Sequence, residues 1–141
     1  MSIGYIGWSI IAMISYSFVF LFAKLAMAND ALSAFTVMTI STVLVAVAAT
    51  VVTVITGEWT LEAYASSPAL FAYATGISLA LAVLGYFIAL ETGPASIVVP
   101  IYGMFIIGGS VLGIVVLNEP VTVRKVLGIG LAATSVILIA S

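Results

Sequence analysis

Ser15, Tyr16, Tyr86, Pro100 and Tyr102 are the residues whose types could handle a small polar molecule, and all five lie inside long apolar runs. A phenol in such a run needs a hydrogen-bond partner, which another helix or a polar cavity can supply. Ser15-Tyr16-Ser17 sets three hydroxyls side by side in the first run. Pro100 inside a helix has no N–H to give to the carbonyl of Ser96, so it should kink the chain. Freed carbonyls at membrane depth are tolerated only against protein or a water-filled cavity, and transporters build sites on helices interrupted in this way. The competing reading makes the hydroxyls parts of helix-helix seams and the proline an inert kink.

Other chemistries are excluded by what the chain lacks. With no His and no Cys there is no zinc site, disulfide, thiol chemistry or Ser-His-Asp triad to expect. No metal or cofactor is expected. Three Lys and Arg residues cannot track a phosphate backbone, so nucleic acid is excluded as a partner. No two carboxylates share a span and no charge falls at mid-span, which argues against an enzyme and against a proton-driven pump built on a buried glutamate. Gly108-Gly109-Ser110-Val111-Leu112-Gly113 echoes a phosphate-binding loop, but no strand precedes it and no Lys follows. Gly109 and Gly113, four residues apart, make better sense as a close contact between helices.

The elements that must position these residues are set by composition. Of 141 residues, 65% are apolar and 6% charged, with a mean hydropathy of +1.42. Soluble domains run at roughly 45–50% apolar and about 25% charged. The chain is therefore read as an integral membrane protein. Its charges are Lys24, Asp30, Glu58, Glu62, Glu91, Glu119, Arg124 and Lys125. They divide it into five runs, about 4–27, 32–56, 69–91, 95–117 and 123–140, each near the length of a spanning helix. A membrane barrel would alternate apolar and polar residues instead, so the expected fold is all-α with five transmembrane helices.

The joints support these boundaries. Asn29-Asp30 offers a cap for the second helix, and Ser67-Pro68 a cap and a proline for the third. Gly93 suits a left-handed end to the third, Pro94 begins the fourth, Asn118-Glu119-Pro120 breaks it and Thr122 can cap the fifth. The longest joint, GEWTLEAYASSP, reads as a short interfacial helix or as an acidic loop with an aromatic anchor. Ala26-Met27-Ala28 has a small-x-small pattern, but the uncharged start and long apolar core speak against a signal peptide. A cytoplasmic N-terminus puts Arg124 and Lys125 inside and Lys24 outside, a Lys/Arg bias of a single charge. Three faces collect small or hydroxyl side chains at helical spacing. They are Thr36, Thr39, Val43, Ala46, Thr50 and Thr53 in the second span, Thr75, Ser78, Ala82 and Tyr86 in the third, and Tyr102, Ile106, Gly109 and Gly113 in the fourth. Seam or cavity lining are the two readings of each.

The stretch from Gly93 to Ser141 resembles the second half of an EamA-type repeat of the drug/metabolite transporter superfamily. The likeness rests on the short turn before Ala95 and Pro100, the small-residue helix leading into Asn118-Glu119, and Gly128 in the last helix. Trp8 followed by SYSFVFLFAKLAM, with Phe18 and Lys24, resembles the first helix of that repeat. The second helix opens Ala34-Phe35-Thr36-Val37, without the arginine many members place there, so an anionic substrate has no support.

The resemblance implies one repeat over residues 1–141, forming a single domain of a multi-pass protein in the cytoplasmic (inner) membrane. Its cavity would draw on the first four helices, hence on Tyr16, Tyr86, Pro100 and Tyr102, with the fifth helix peripheral. Glu119 would fix the turn near Arg124 and Lys125 rather than bind substrate. The implied function is transport of small organic solutes by a half-size protein acting as a homodimer through alternating access. An odd number of helices makes fused repeats inverted, and the weak Lys/Arg bias points to an antiparallel pair made by dual insertion. Two alternatives stand beside it. One is a non-transporting subunit or the accessory half of a lipid-carrier flippase; the other, a small multidrug exporter, is disfavoured by the missing mid-membrane glutamate.

Overall fold

The computed structural model describes residues 4–140, and the described residues form helices and turns with no strand. The helices are α1 Tyr5–Ala26, α2 Ala34–Ile55, α3 Leu61–Tyr64, α4 Ala69–Thr92, α5 Ala95–Gly103, α6 Phe105–Val116 and α7 Val123–Ala140. α1, α2, α4 and the combined stretch Ala95–Val116 are each long and apolar enough to cross a membrane. α7 completes the five runs. Arg124 and Lys125 in its first turn leave residues 126–140 free of charge, about 22 Å of helix.

The fourth run is not one helix. α5 continues through Pro100 to Gly103, and the break falls at Met104. There the amide of Met104 donates to the carbonyl of Ile101 at 3.1 Å, and that of Ile107 to Met104 at 2.9 Å. This three-residue spacing is the tighter bonding of a turn. Pro100 cannot bond to Ser96, and Gly103 is a poor helix former, so the chain gives way one turn beyond the proline.

Two joints are built differently from the sequence expectation. Asn29 and Asp30 do not cap α2; both sit at φ 56° in a 3-10 turn over Ala28–Asp30, a left-handed conformation that short polar side chains tolerate. The cap is Ser33, whose hydroxyl accepts from the amide of Thr36 at 3.3 Å. Gly93 likewise is not left-handed: among the described glycines only Gly57 has a positive φ, at 73°, where the chain leaves α2. Pro94 caps α5. Thr122 caps α7, accepting from the amide of Lys125 at 3.3 Å. In the longest joint a single helical turn, α3, is tied down by the Tyr73 hydroxyl donating to the Tyr64 carbonyl at 2.9 Å, with the Trp59 and Tyr64 rings 5.5 Å apart.

The chain forms two compact units, Met1–Thr92 and Gly93–Ser141. In the first, α1 and α2 pack on α4. All the buried residues of the described chain belong to it, and all lie where the end of α1, the start of α2 and the end of α4 meet: Ala23, Met27, Ala34, Val37, Tyr86, Phe87 and Leu90. In the second unit α7 packs on α5 and α6.

Among the described residues the threonine face of α2 makes no seam over most of its length, and only Thr53 near its end is half-buried. Ala34 and Val37 are the packed positions, and Thr36, Thr39, Val43, Ala46 and Thr50 point about half a turn away and are exposed. Their hydroxyls bond within their own helix instead: Thr39 donates to the carbonyl of Phe35 at 2.8 Å and Thr50 to that of Ala46 at 2.9 Å. Thr75 does the same toward Phe71.

Candidate functional site

Tyr16 and Tyr86 are joined through one aromatic chain in the first unit. Phe20 lies one turn after Tyr16 on α1, with ring centroids 6.4 Å apart, and meets Tyr86 of α4 at 5.4 Å; Tyr86 in turn stands edge-on to Phe87 at 5.7 Å. Tyr16 is 55% exposed and Tyr86 is 6% exposed, so the chain runs from an open stretch of α1 into the packed end. Ser15 is exposed, and the neighbouring Ser17 hydroxyl is turned back onto the carbonyl of Met13. Of the expected α4 face only Tyr86 is buried; Thr75, Ser78 and Ala82 are exposed.

At the packed end Lys24 and Glu91, charges that mark span ends in the sequence, each reach a helix terminus. The ammonium of Lys24 donates to the carbonyl of Leu90 at 2.7 Å. Leu90 is in the last turn of α4, where carbonyls have no partner within the helix, and a cation there also opposes the negative end of the helix dipole. The mirror arrangement stands beside it: Glu91 accepts from the amide of Ala34 at 2.9 Å, and Ala34 is the first residue of α2. An amide at that position lacks an intrahelical acceptor, and a carboxylate suits the positive helix end. The signal was present in the sequence, since an up-down path brings the ends of α1 and α4 and the start of α2 to one membrane face. Spacing alone does not say that the side chains of Lys24 and Glu91 reach the helix ends that meet there.

In the second unit Pro100 lines an open, largely apolar cleft of about 270 Å³. Gly103, Met104 and Ile107 from the broken span form one wall, and Ala132, Ser135 and Val136 of α7 the other. The fifth helix, peripheral by resemblance, is thus part of this cleft. Its polar group, the Ser135 hydroxyl, donates to the carbonyl of Ala132 at 2.9 Å. Tyr102 is half-buried on the last turn of α5 with its ring edge-on to Phe105 at 5.4 Å. The break at Met104 falls between Tyr102 on α5 and Ile106, Gly109 and Gly113 on α6.

The glycines sort by their neighbours. A Cβ at Gly109 or Gly128 would meet nothing within 4 Å, so neither makes a close helix contact within the described residues. At Gly113 it would meet the Glu119 carboxylate at 3.4 Å. The room at Gly113 serves a returning loop rather than a second helix. Asn118, at φ 53°, turns the chain so that the Glu119 amide donates to the Gly113 carbonyl at 3.2 Å. The Glu119 side chain pairs with Lys125 at 3.1 Å, with 52% and 42% of the two side chains exposed. Exposed pairs are worth about 1 kcal/mol or less. Lys125→Met is therefore expected to lower stability by no more than about 1 kcal/mol in a micelle unfolding titration. A larger loss would mean that the turn depends on the pair rather than on its backbone bonds.

The residues so arranged offer hydroxyls, aromatic faces and an interrupted helix, and among the described residues no group of His, Cys, Asp or Glu could hold a metal ion. The sequence matches the EamA-like transporter family over residues 3–141. No individual curated protein and no solved structure matches it significantly.

Proposed function

Because the chain belongs to the EamA-like transporter family, a family of multi-pass membrane transporters rather than enzymes, we propose that it carries a small organic solute by alternating access, as one half of an inverted pair. The observation that carries the reading is the spanning stretch Ala95–Val116, broken at Met104 beside Pro100 and opening on a cleft of about 270 Å³. An interrupted helix at membrane depth is costly unless its loosened backbone serves a cavity, and a volume of this order accepts a small solute. The cleft walls are apolar apart from Ser135, so the solute class that fits is neutral or amphipathic. Tyr102, on the last turn of α5 in the same unit, is the phenol available to orient it.

The chain acts as a homodimer of antiparallel copies in the cytoplasmic membrane. A repeat of five spanning helices has its two ends on opposite faces, so the partner repeat that completes a pathway with a two-fold axis in the membrane plane must be inverted. Residues 1–141 form one domain in this reading. The copy with a cytoplasmic N-terminus holds Arg124 and Lys125 inside.

Pro100→Ala tests the proposal. Alanine restores an amide and a good helix former, so helicity and stability should hold or rise slightly. Uptake of neutral metabolites into proteoliposomes should fall about tenfold or more if the break serves the pathway, a loss of order 1.4 kcal/mol in the transport barrier. A well-folded variant with native uptake would sink the role of the break.

A further inference from the structure

We propose that Lys24 and Glu91 form a latch that keeps one end of the first unit shut, and that releasing it opens this end toward Tyr86. The distribution of burial is the first observation. Every buried residue of the unit lies at the end where Ala23, Ala34, Tyr86 and Leu90 meet, whereas α1 before Ala23, α2 after Val37 and α4 before Tyr86 contain none. The three helices are thus packed to full burial at one end only, with half-buried positions such as Ser41, Thr53, Val83 and Leu84 along the rest of their length. A transporter repeat closed at one face and open toward the other has this form, yet the inference rests on the packing and not on which solute moves.

The second observation is how the gathered end is fastened. Few side chains do the packing there, and the two polar contacts both link a side chain of one helix to the backbone end of another. Lys24 of α1 holds the carbonyl of Leu90 in α4, and Glu91 of α4 holds the amide of Ala34 in α2. Each is charge-assisted, and each satisfies a helix-end group that has no partner in its own helix. Such contacts differ from the internal bonds of a helix, because they can break without unwinding any turn. α4 is common to both, so displacing its last turn releases α1 and α2 together. Tyr86, one turn before Leu90, is the first ring that this movement would uncover, and Phe20 and Tyr16 continue the aromatic path from it.

The chain contains no cysteine, so a single introduced thiol reports without background. Val37→Cys places one of similar size at a position 7% exposed beside the latch. In micelles, which give access from both faces, its reaction with a membrane-impermeant maleimide should be slow in the otherwise native chain. Lys24→Met or Glu91→Met should accelerate it about tenfold or more, the size expected for loss of one charge-assisted bond. Helix content should be unchanged, and Lys24→Arg, which keeps charge and donors, should restore the slow rate. The acceleration should also be insensitive to mild denaturant, the mark of a local opening. Native labelling rates in folded Lys24→Met and Glu91→Met would overturn the latch, as would an acceleration that rises steeply with denaturant, since that reports global unfolding. If those variants do not fold, Glu91→Asp, one methylene shorter, takes their place: a several-fold faster reaction supports the latch and a native rate overturns it.

Discussion

Leu90→Ala is expected to cost about 2–3 kcal/mol of stability, the lower part of the range for truncating a buried leucine. Leu90 is fully buried, with 0% exposure, at the point where α1, α2 and α4 meet. In water such a truncation loses the transfer energy of the side chain and leaves a cavity. Between helices in lipid the transfer part fades, because the surrounding tails are as apolar as the leucine, and what remains is the lost packing. The cavity would open in the one place where the first unit is tightly packed, with no neighbouring buried layer to close over it. The backbone of the same residue receives Lys24, so a shift of the last α4 turn weakens that bond as well. Val43 is the matched control, since it is 55% exposed on the outward face of α2, and Val43→Ala should change stability by less than about 0.5 kcal/mol. Leu90→Met, which nearly conserves volume, should lose under about 1.5 kcal/mol. Unfolding titrations in micelles decide it: if Leu90→Ala is as mild as Val43→Ala, the gathered end is not what holds the unit together.

The positions of the helices were legible from the sequence, and their faces were not. Charges and prolines mark where a chain leaves the membrane, so Lys24, Glu58, Pro68, Glu91, Pro94 and Glu119 bracket the observed helices within a few residues. A uniformly apolar helix carries no such mark of which side meets a neighbour. The threonines of α2 have the spacing of a seam, yet Thr39, Thr50 and Thr53 satisfy their hydroxyls on the carbonyl four residues back, which needs no neighbouring helix. Gly109 and Gly113 show the same limit: equal spacing and residue type, but open space at one and the Glu119 carboxylate at the other. Pro100 pointed to an interruption, and the chain yielded at Met104 because the weakest backbone lies beyond the proline. Lys24 and Glu91 were visible as charges near span ends. Their use as fasteners depends on three helix ends meeting in space, which no local pattern records.

A chain fixed in one orientation is expected to lose all transport, and activity should return when the two orientations are supplied by two variants. Four stretches are long and apolar enough to cross a membrane, and α7 crossing as a fifth would put the two ends of the repeat on opposite faces. An inverted partner is available from the same sequence only if the chain inserts both ways, and a bias of two basic residues against one leaves that open. Two lysines placed after Ser141 should hold that end in the cytoplasm. Glu58→Lys with Glu62→Lys adds positive charge on the face that carries Arg124 and Lys125, both sites being exposed, and should hold the opposite orientation. Either variant expressed alone should be inactive while still inserted and helical, and co-expression should recover uptake. Neither set of changes touches the latch, the aromatic chain or the Pro100 cleft. In the unmodified topology a single cysteine at Glu62 should react with an impermeant maleimide on intact cells to about half of completion, one copy of each pair facing outward. Complete reaction, or none, would show a single orientation and overturn the self-paired arrangement.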